Sequence, residues 1–317
     1  MVSIIIPIYN VIDYLPATVN SAREQTERDV EIILVNDGST DGSAALCDVL
    51  AREDSRIRVI HKANGGLSSA RNAGVSAAQG EYILLLDGDD RLHRQAVERT
   101  LSVIKETGAD FVQFRYREVT GEEPMPPLCG GKPVLSSGSA ELFANLYRLG
   151  GMGASACTKL FRRELLEKIP FENVRHEDEM WCTRAFVNSL TAACIDDVLY
   201  DYVMRDGSII RGGFNPGRLD VFQVCSQRME ALKQVRLTEL LGKEYGKLFL
   251  AVLTLYRDAC NAGDKLSAAA VRAAFQKHKA GIRTYAKPNG KFGLLFRLMY
   301  VWFDAAQLYR FYWKIRR

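Results

Sequence analysis

Val2-Ser3-Ile4-Ile5-Ile6-Pro7-Ile8 opens the chain as a run of β-branched residues that breaks at the polar turn Tyr9-Asn10. Branching at Cβ suits a pleated strand, and an apolar run without alternation suits a strand covered on both faces. Similar runs recur at residues 30–35, 57–60 and 82–86, with segments of helical character between them. That alternation predicts an α/β fold with a mainly parallel sheet flanked by helices. The runs end in polar clusters: Tyr9-Asn10, Asn36-Asp37-Gly38-Ser39 and Asp87-Gly88-Asp89-Asp90. Ligands of open α/β sheets bind outside the carboxyl ends of the strands, so these clusters are expected to face one site.

Residues 110–116 read as another strand and 192–203 as a further one; Pro124, Pro126, Pro127, Gly130 and Gly131 between them form either a flap or a plain connection. Gly212, Gly213, Pro216 and Gly217 mark a boundary, beyond which residues 219–317 read as helical. The expected domains are an α/β unit, 1–213, and a helical region, 214–317, with a basic amphipathic tail.

Bulk properties exclude several classes. A formal net charge of +4, from 42 basic and 38 acidic residues, is too slight to argue for nucleic acid. Seven cysteines, odd in number and never spaced as CxxC, point to a reducing compartment and no zinc site. The amino-terminal run lacks a basic leader and reads as a strand rather than a signal. Near residues 294–313 the apolar stretch is interrupted by Arg297, Asp304 and Arg310, short of the roughly 18 uncharged residues that suggest a span. A cytoplasmic protein, peripheral at the inner face of the membrane, is the expectation.

Four motifs bear on chemistry. Asp37, Ser39 and Asp41 superficially match a calcium loop, but such a loop is entered from a helix and this segment follows a strand. A capped strand-to-helix turn and a nucleotide contact compete evenly there. Asn64-Gly65-Gly66-Leu67-Ser68-Ser69-Ala70-Arg71-Asn72 places free N–H groups at a helix entrance, suited to phosphate or to a simple helix start, with Arg71 as an added cation. The fingerprints GxGxxG and GxxxxGK[ST] are absent from this region. Asp87-Gly88-Asp89-Asp90, after the apolar Ile83-Leu84-Leu85-Leu86, gathers carboxylates that repel unless a hard divalent ion, water or a basic partner compensates. His176-Glu177-Asp178-Glu179-Met180-Trp181 opens a helix over 177–188, where the dipole alone favours acids.

In their order these segments resemble family 2 of the glycosyltransferases, inverting enzymes of the GT-A (Rossmann-like) fold. Val2 to Asn10 resembles the family's opening strand, Val35 to Ser39 its nucleotide turn, Asn64 to Gly74 its diphosphate-side helix, Asp87-Gly88-Asp89 its DxD metal motif and Glu177-Asp178 its base motif. The resemblance covers roughly residues 1–210. It implies Asp37 at the nucleobase, Asp87 toward the ribose, Asp89 on a Mn²⁺ or Mg²⁺ ion at the diphosphate, Arg71 holding the nucleotide, and Asp178 as general base. It further implies substrate contacts from Pro7, Tyr9, Asn64, Gly66, Gly88, Glu177 and Trp181, and from Arg205 and Ser208 in a YxxRxxS-like stretch that begins at Tyr202. No QxxRW segment is present, so the resemblance implies one sugar per encounter.

The implied reaction moves a sugar from a nucleotide-diphosphate donor, UDP-linked by expectation, to a saccharide or lipid-linked hydroxyl, giving a β-linkage in surface polysaccharide synthesis. A catalytically silent nucleotide-sugar binding subunit is the competing class, and a nucleotidyltransferase would want a glycine-rich, arginine-containing loop where Asn10-Val11-Ile12-Asp13 stands. In the tail, Arg297, Arg310 and Lys314 lie on one helical side while Leu298, Trp302, Tyr309 and Tyr312 lie on another. Such a segment fits an anionic membrane surface or packs on the protein itself.

Overall fold

The computed structural model describes residues 1–121, 123–148, 153–188, 190–204 and 214–286. Arg205, Ser208 and the tail from residue 287 onward lie outside the described residues. The chain divides into two compact units, Met1–Gly213 and Phe214–Arg317. In the first, the elements are β1 (Val2–Ile8), α1 (Leu15–Arg23), β2 (Val30–Asp37), α2 (Ser43–Glu53), β3 (Ile57–Lys62), α3 (Leu67–Ala77), β4 (Tyr82–Leu85), β5 (Arg91–Leu92), α4 (Ala96–Thr107), β6 (Phe111–Val119), β7 (Val134–Ser137), α5 (Gly138–Leu146), β8 (Lys159–Arg162), α6 (Arg163–Lys168), α7 (Glu177–Phe186) and β9 (Thr191–Val203). The second holds α8 (Val221–Gln234), α9 (Leu241–Asn261) and α10 (Lys265–Tyr285).

Among the described residues the strands form one sheet in the order β3-β2-β1-β4-β8-β6-β9-β5, with β7 pairing on β9. The half built from β3, β2, β1 and β4 is parallel throughout. Every residue of β1 is buried, as its unbroken apolar character requires for a strand covered on both faces. Removing each of its isoleucines from water contributes roughly 1.5–3 kcal/mol. Helix α3 lies directly on this strand: a Cβ added at Gly74 would sit 2.3 Å from Ile5 Cγ2, so only glycine permits the approach.

The other half is mixed. β8 runs antiparallel between β4 and β6, while β6 and β9 are parallel. Because β8 is reversed, its first residue, Lys159, lies at the sheet end where β4 finishes. The proline-rich connection after β6 is pinned by backbone contacts, with Arg117 donating to the carbonyls of Glu123 and Pro124 and Gly130 N donating to Asp197. It is therefore a fastened connection over those residues. In the second unit α8, α9 and α10 bury Leu232, Leu248, Phe249, Val252, Val271 and Phe275 along their apolar stripes.

Candidate functional site

Three carboxyl strand ends and two helix starts converge at one end of the sheet. Asp41, one residue before the Gly42 N-cap of α2, accepts from Ser43 N at 3.0 Å and from Ile12 N at 3.0 Å, which is the work of a turn residue. Asp37 closes β2 with its carboxylate buried. It accepts from Gly65 N (3.0 Å), Gly66 N (2.8 Å) and Lys62 Nζ, while Asn64 Nδ2 donates to the Asp37 carbonyl at 3.0 Å. The N–H groups of Gly65 and Gly66, expected to be free for phosphate, are thus committed to Asp37. Tyr9, just past β1, stands 52% exposed, whereas Pro7 is buried within the strand. Gly88 is packed so tightly over it that an added Cβ would lie 2.9 Å from the Pro7 carbonyl oxygen, which makes Gly88 a spacer between strand ends.

Arg71 is the centre of the arrangement. Rising from α3 and 1% exposed, its Nη1 donates to Glu177 Oε1 at 2.8 Å and to Asp178 Oδ1 at 2.7 Å, and its Nη2 donates to Asp87 Oδ1 at 3.0 Å. Its Nη2 also lies 3.3 Å from Cys157 Sγ, and its guanidinium sits 5.4 Å from the centre of the Phe171 ring. Burial works against the charge, but Asp178, Asp87 and Glu177 outweigh it and hold Arg71 well above its ordinary value. Arg71, expected to hold the nucleotide, ties the end of β4 to the start of α7 through its guanidinium.

Around this tie the acids take different environments. Burial, then the neighbouring Asp178, push Glu177 up to about 7. Asp178 is held on both oxygens, Oδ1 by Arg71 and Oδ2 by Ala156 N at 3.0 Å. Asp90 is buried, accepting from the Tyr200 hydroxyl at 2.6 Å and from Val203 N at 2.8 Å; burial and the charges of Asp87 and Asp89 push it up to about 8. It belongs to the scaffold under the cluster. Asp89, half-buried beside it, and Asp87 are the carboxylates at the mouth. Among the described residues no three His, Cys, Asp or Glu side chains gather into a closed metal cage. A divalent ion here would take part of its ligands from a bound diphosphate, the habit of Mg²⁺-type ions at phosphate sites.

Trp181, expected at the substrate, is interior instead. It is 1% exposed, its indole N–H donates to the Ile169 carbonyl at 2.8 Å, and Phe111, Phe161 and Phe171 surround it. An amphipathic ring at the fourth position after a helix start faces inward as readily as outward, and nothing local decides which. Sequence reasoning missed Tyr200, whose hydroxyl also accepts from Asp87 N at 3.2 Å, as well as Ala156, Cys157 and Lys159. Their residue types carried no signal, since each acts through contacts with segments distant in the chain.

Comparison with known proteins defines the class. Residues 3–170, more than half of the chain, match the family model described as Glycosyl transferase family 2. The chain is 32% identical over 245 residues to the glycosyltransferase GlyG of Streptococcus pneumoniae serotype 4, covering 72% of this chain and 79% of that protein. It is 34% identical over 223 residues to the uncharacterized glycosyltransferase EpsJ of Bacillus subtilis strain 168, covering 68% of this chain and 64% of the other. The chain belongs to glycosyltransferase family 2. Among solved structures, Staphylococcus aureus TarS 1–349 in complex with UDP-GlcNAc superposes with a TM-score of 0.68 at 20% identity, over 89% of this chain and 81% of that one. Mannosyltransferase PcManGT from Pyrobaculum calidifontis, in complex with GDP-Man and Mn²⁺, does so with 0.54 at 17%, over 98% and 82%. At such identities the likeness speaks for the fold, which is GT-A.

Proposed function

We propose that the protein transfers one sugar, with inversion, from a nucleotide-diphosphate sugar to a saccharide or lipid-linked hydroxyl, forming a β-linkage in surface polysaccharide synthesis. The observation that carries this reading is the Arg71 tie, which draws Asp87 and Asp178, residues from opposite halves of the catalytic region, onto one guanidinium. A donor-side carboxylate and a base therefore share one mouth. A UDP-linked donor is the first to test, since of the two neighbours alike in fold TarS was solved with UDP-GlcNAc and PcManGT with GDP-Man.

Asp37 and the turn it organises would flank the nucleobase, and Asp87 the ribose. A Mn²⁺ or Mg²⁺ ion held by Asp89 and the diphosphate would supply charge compensation for the departing nucleotide. Each oxygen of Asp178 keeps a second lone pair beyond the bond it accepts, so the carboxylate can receive the acceptor proton as the hydroxyl attacks. Attack from the face opposite the leaving group inverts the anomeric centre. Both acids being intact disfavours a silent binding subunit.

The test is a panel of nucleotide sugars assayed for nucleotide diphosphate release with Mn²⁺, in the parent and in Asp178→Asn. The variant should bind UDP like the parent yet turn over about two to four orders of magnitude more slowly. Parental turnover in Asp178→Asn refutes the assignment of the base.

No helix among the described residues is long and apolar enough to cross a membrane. The basic, aromatic tail beyond residue 286 is proposed to bring the site to an anionic membrane surface that carries the acceptor. Co-sedimentation with anionic vesicles should be lost on truncation at residue 286, and equal sedimentation of both forms rejects it.

A further inference from the structure

Lys159 opens β8 with its side chain wholly buried. Its Nζ donates to the carbonyls of Gly153 at 2.8 Å and Ser155 at 2.6 Å. These two carbonyls bracket the bend that leads into the 3₁₀ turn Ala156–Thr158. The first amide of that turn, Ala156 N, is the group that donates to Asp178 Oδ2 at 3.0 Å. Other bonds fasten the same bend, from Thr158 Oγ1 to the Ser155 carbonyl at 3.0 Å and from Gln113 Nε2 to Thr158 Oγ1 at 2.8 Å.

Burying an ammonium group is costly, and an apolar side chain of similar length would fill the volume without that cost. Burial accordingly pushes Lys159 down from its ordinary value. The compensation is local and directional: two carbonyls of an irregular segment are drawn to one point. Nearby, three carboxylates share the single guanidinium of Arg71, so a second buried cation also reduces their mutual repulsion.

We infer that Lys159 is a positioning residue for Asp178, gathering the Gly153 and Ser155 carbonyls so that the Ala156 amide holds the Asp178 carboxylate toward the acceptor. This rests on the reading of Asp178 as the base. The charged and titratable groups around Asp178 are Arg71 from α3, Asp87 from the end of β4, Glu177 on its own helix and, on the side of the turn, Cys157 and Lys159, with Cys182 one helical turn on. The carboxylate loses a donated N–H and a nearby cation when Lys159 is removed, and both favour its charged form.

The experiment compares full-length Lys159→Met, Ala156→Pro and Asp178→Asn with the parent, by UDP release from whichever UDP-sugar of the panel turns over, across pH, and by calorimetry with UDP. Ala156→Pro removes the donated N–H and sets its ring Cδ where the hydrogen pointed, so it also pushes the Asp178 carboxylate aside. Proline is accommodated at the first position of a helical turn, and the preceding Ser155, at φ −53° and ψ 128°, has the extended backbone that proline demands of its neighbour. Lys159→Met and Ala156→Pro should both keep parental UDP affinity, lose about 10- to 100-fold in kcat, and move the acidic limb of the kcat profile up by about one pH unit. A lowered kcat with an unmoved limb, or a loss of UDP affinity to match, would mean a structural role only and overturns the inference. Should Lys159→Met not fold, Ala156→Pro decides by the same readout. If Asp178→Asn itself keeps parental turnover, the base assignment fails and the inference with it; if Asp178→Asn is inactive while the other two keep the parental limb, this inference alone falls.

Discussion

Replacing Arg71 by methionine keeps the unbranched stem of the side chain and removes the guanidinium that three carboxylates share. The three N–H···O bonds, at 2.7, 2.8 and 3.0 Å, come from a guanidinium that is 1% exposed. Breaking such a buried network on one side typically costs about 3–5 kcal/mol, because charges are left without a partner. Here water relieves part of it: the side chains of Asp87, Asp178 and Glu177 are 31%, 21% and 15% exposed. The lower end, about 3 kcal/mol, is the expectation, and at about 2–4 °C per kcal/mol for a unit of this size the melting point should fall by about 6–12 °C. The sign of the pH dependence follows from the same bonds. Without Arg71 the carboxylates are harder to ionise in the folded chain than in the unfolded one, so protonation on acidification favours the folded variant. The deficit against the parent should therefore be largest near pH 8 and shrink toward pH 5. Thermal melts of parent and Arg71→Met at several pH values measure both effects. A deficit below about 1 kcal/mol, or one that does not change with pH, refutes the tie. An unchanged melting point with UDP affinity lowered about a hundredfold would restore Arg71 to the nucleotide.

Two further outcomes separate the acids after β4. Asp89→Ala is expected to lose at least about tenfold in UDP affinity in Mn²⁺ and to become insensitive to chelator, read by calorimetry; parental affinity would remove Asp89 from the metal. Asp90→Asn should retain Mn²⁺-dependent UDP binding and melt close to the parent, since burial disfavours the charged form of the Asp90 carboxyl and an amide can still engage the Tyr200 hydroxyl and Val203 N. A large loss of metal-dependent binding in Asp90→Asn would mean that it is a ligand after all.

How far the sequence could be read depends on whether a feature is written locally. The strands β1 and β2 announce themselves because burial on both faces demands a nearly continuous apolar run, and each begins where its run begins; β3, at the sheet edge with only Ile57 buried, is marked by its β-branched residues alone. β5, β7 and β8, of two and four residues, carry no such pattern; they are strands because β9, β4 and β6 pair with them. The same division runs through the site. Asp37, Asp87 and Glu177-Asp178 stand out as acids at strand ends and a helix start. Where their charges are balanced does not, because the Arg71 contacts to Glu177 and Asp178 close over 106 and 107 residues of chain. Arg71, read from its own helix, looks like a cation offered to a ligand. Only the return of α7 to the end of β4 shows that the protein supplies its partners. Lys159 is the harder case: in sequence it is one of 42 basic residues, and its burial depends on β8 being reversed, which delivers its side chain beneath the bend that holds Asp178. A charge placed by topology leaves no mark in its neighbours, so the residues that support the chemistry are less legible than the residues that carry it.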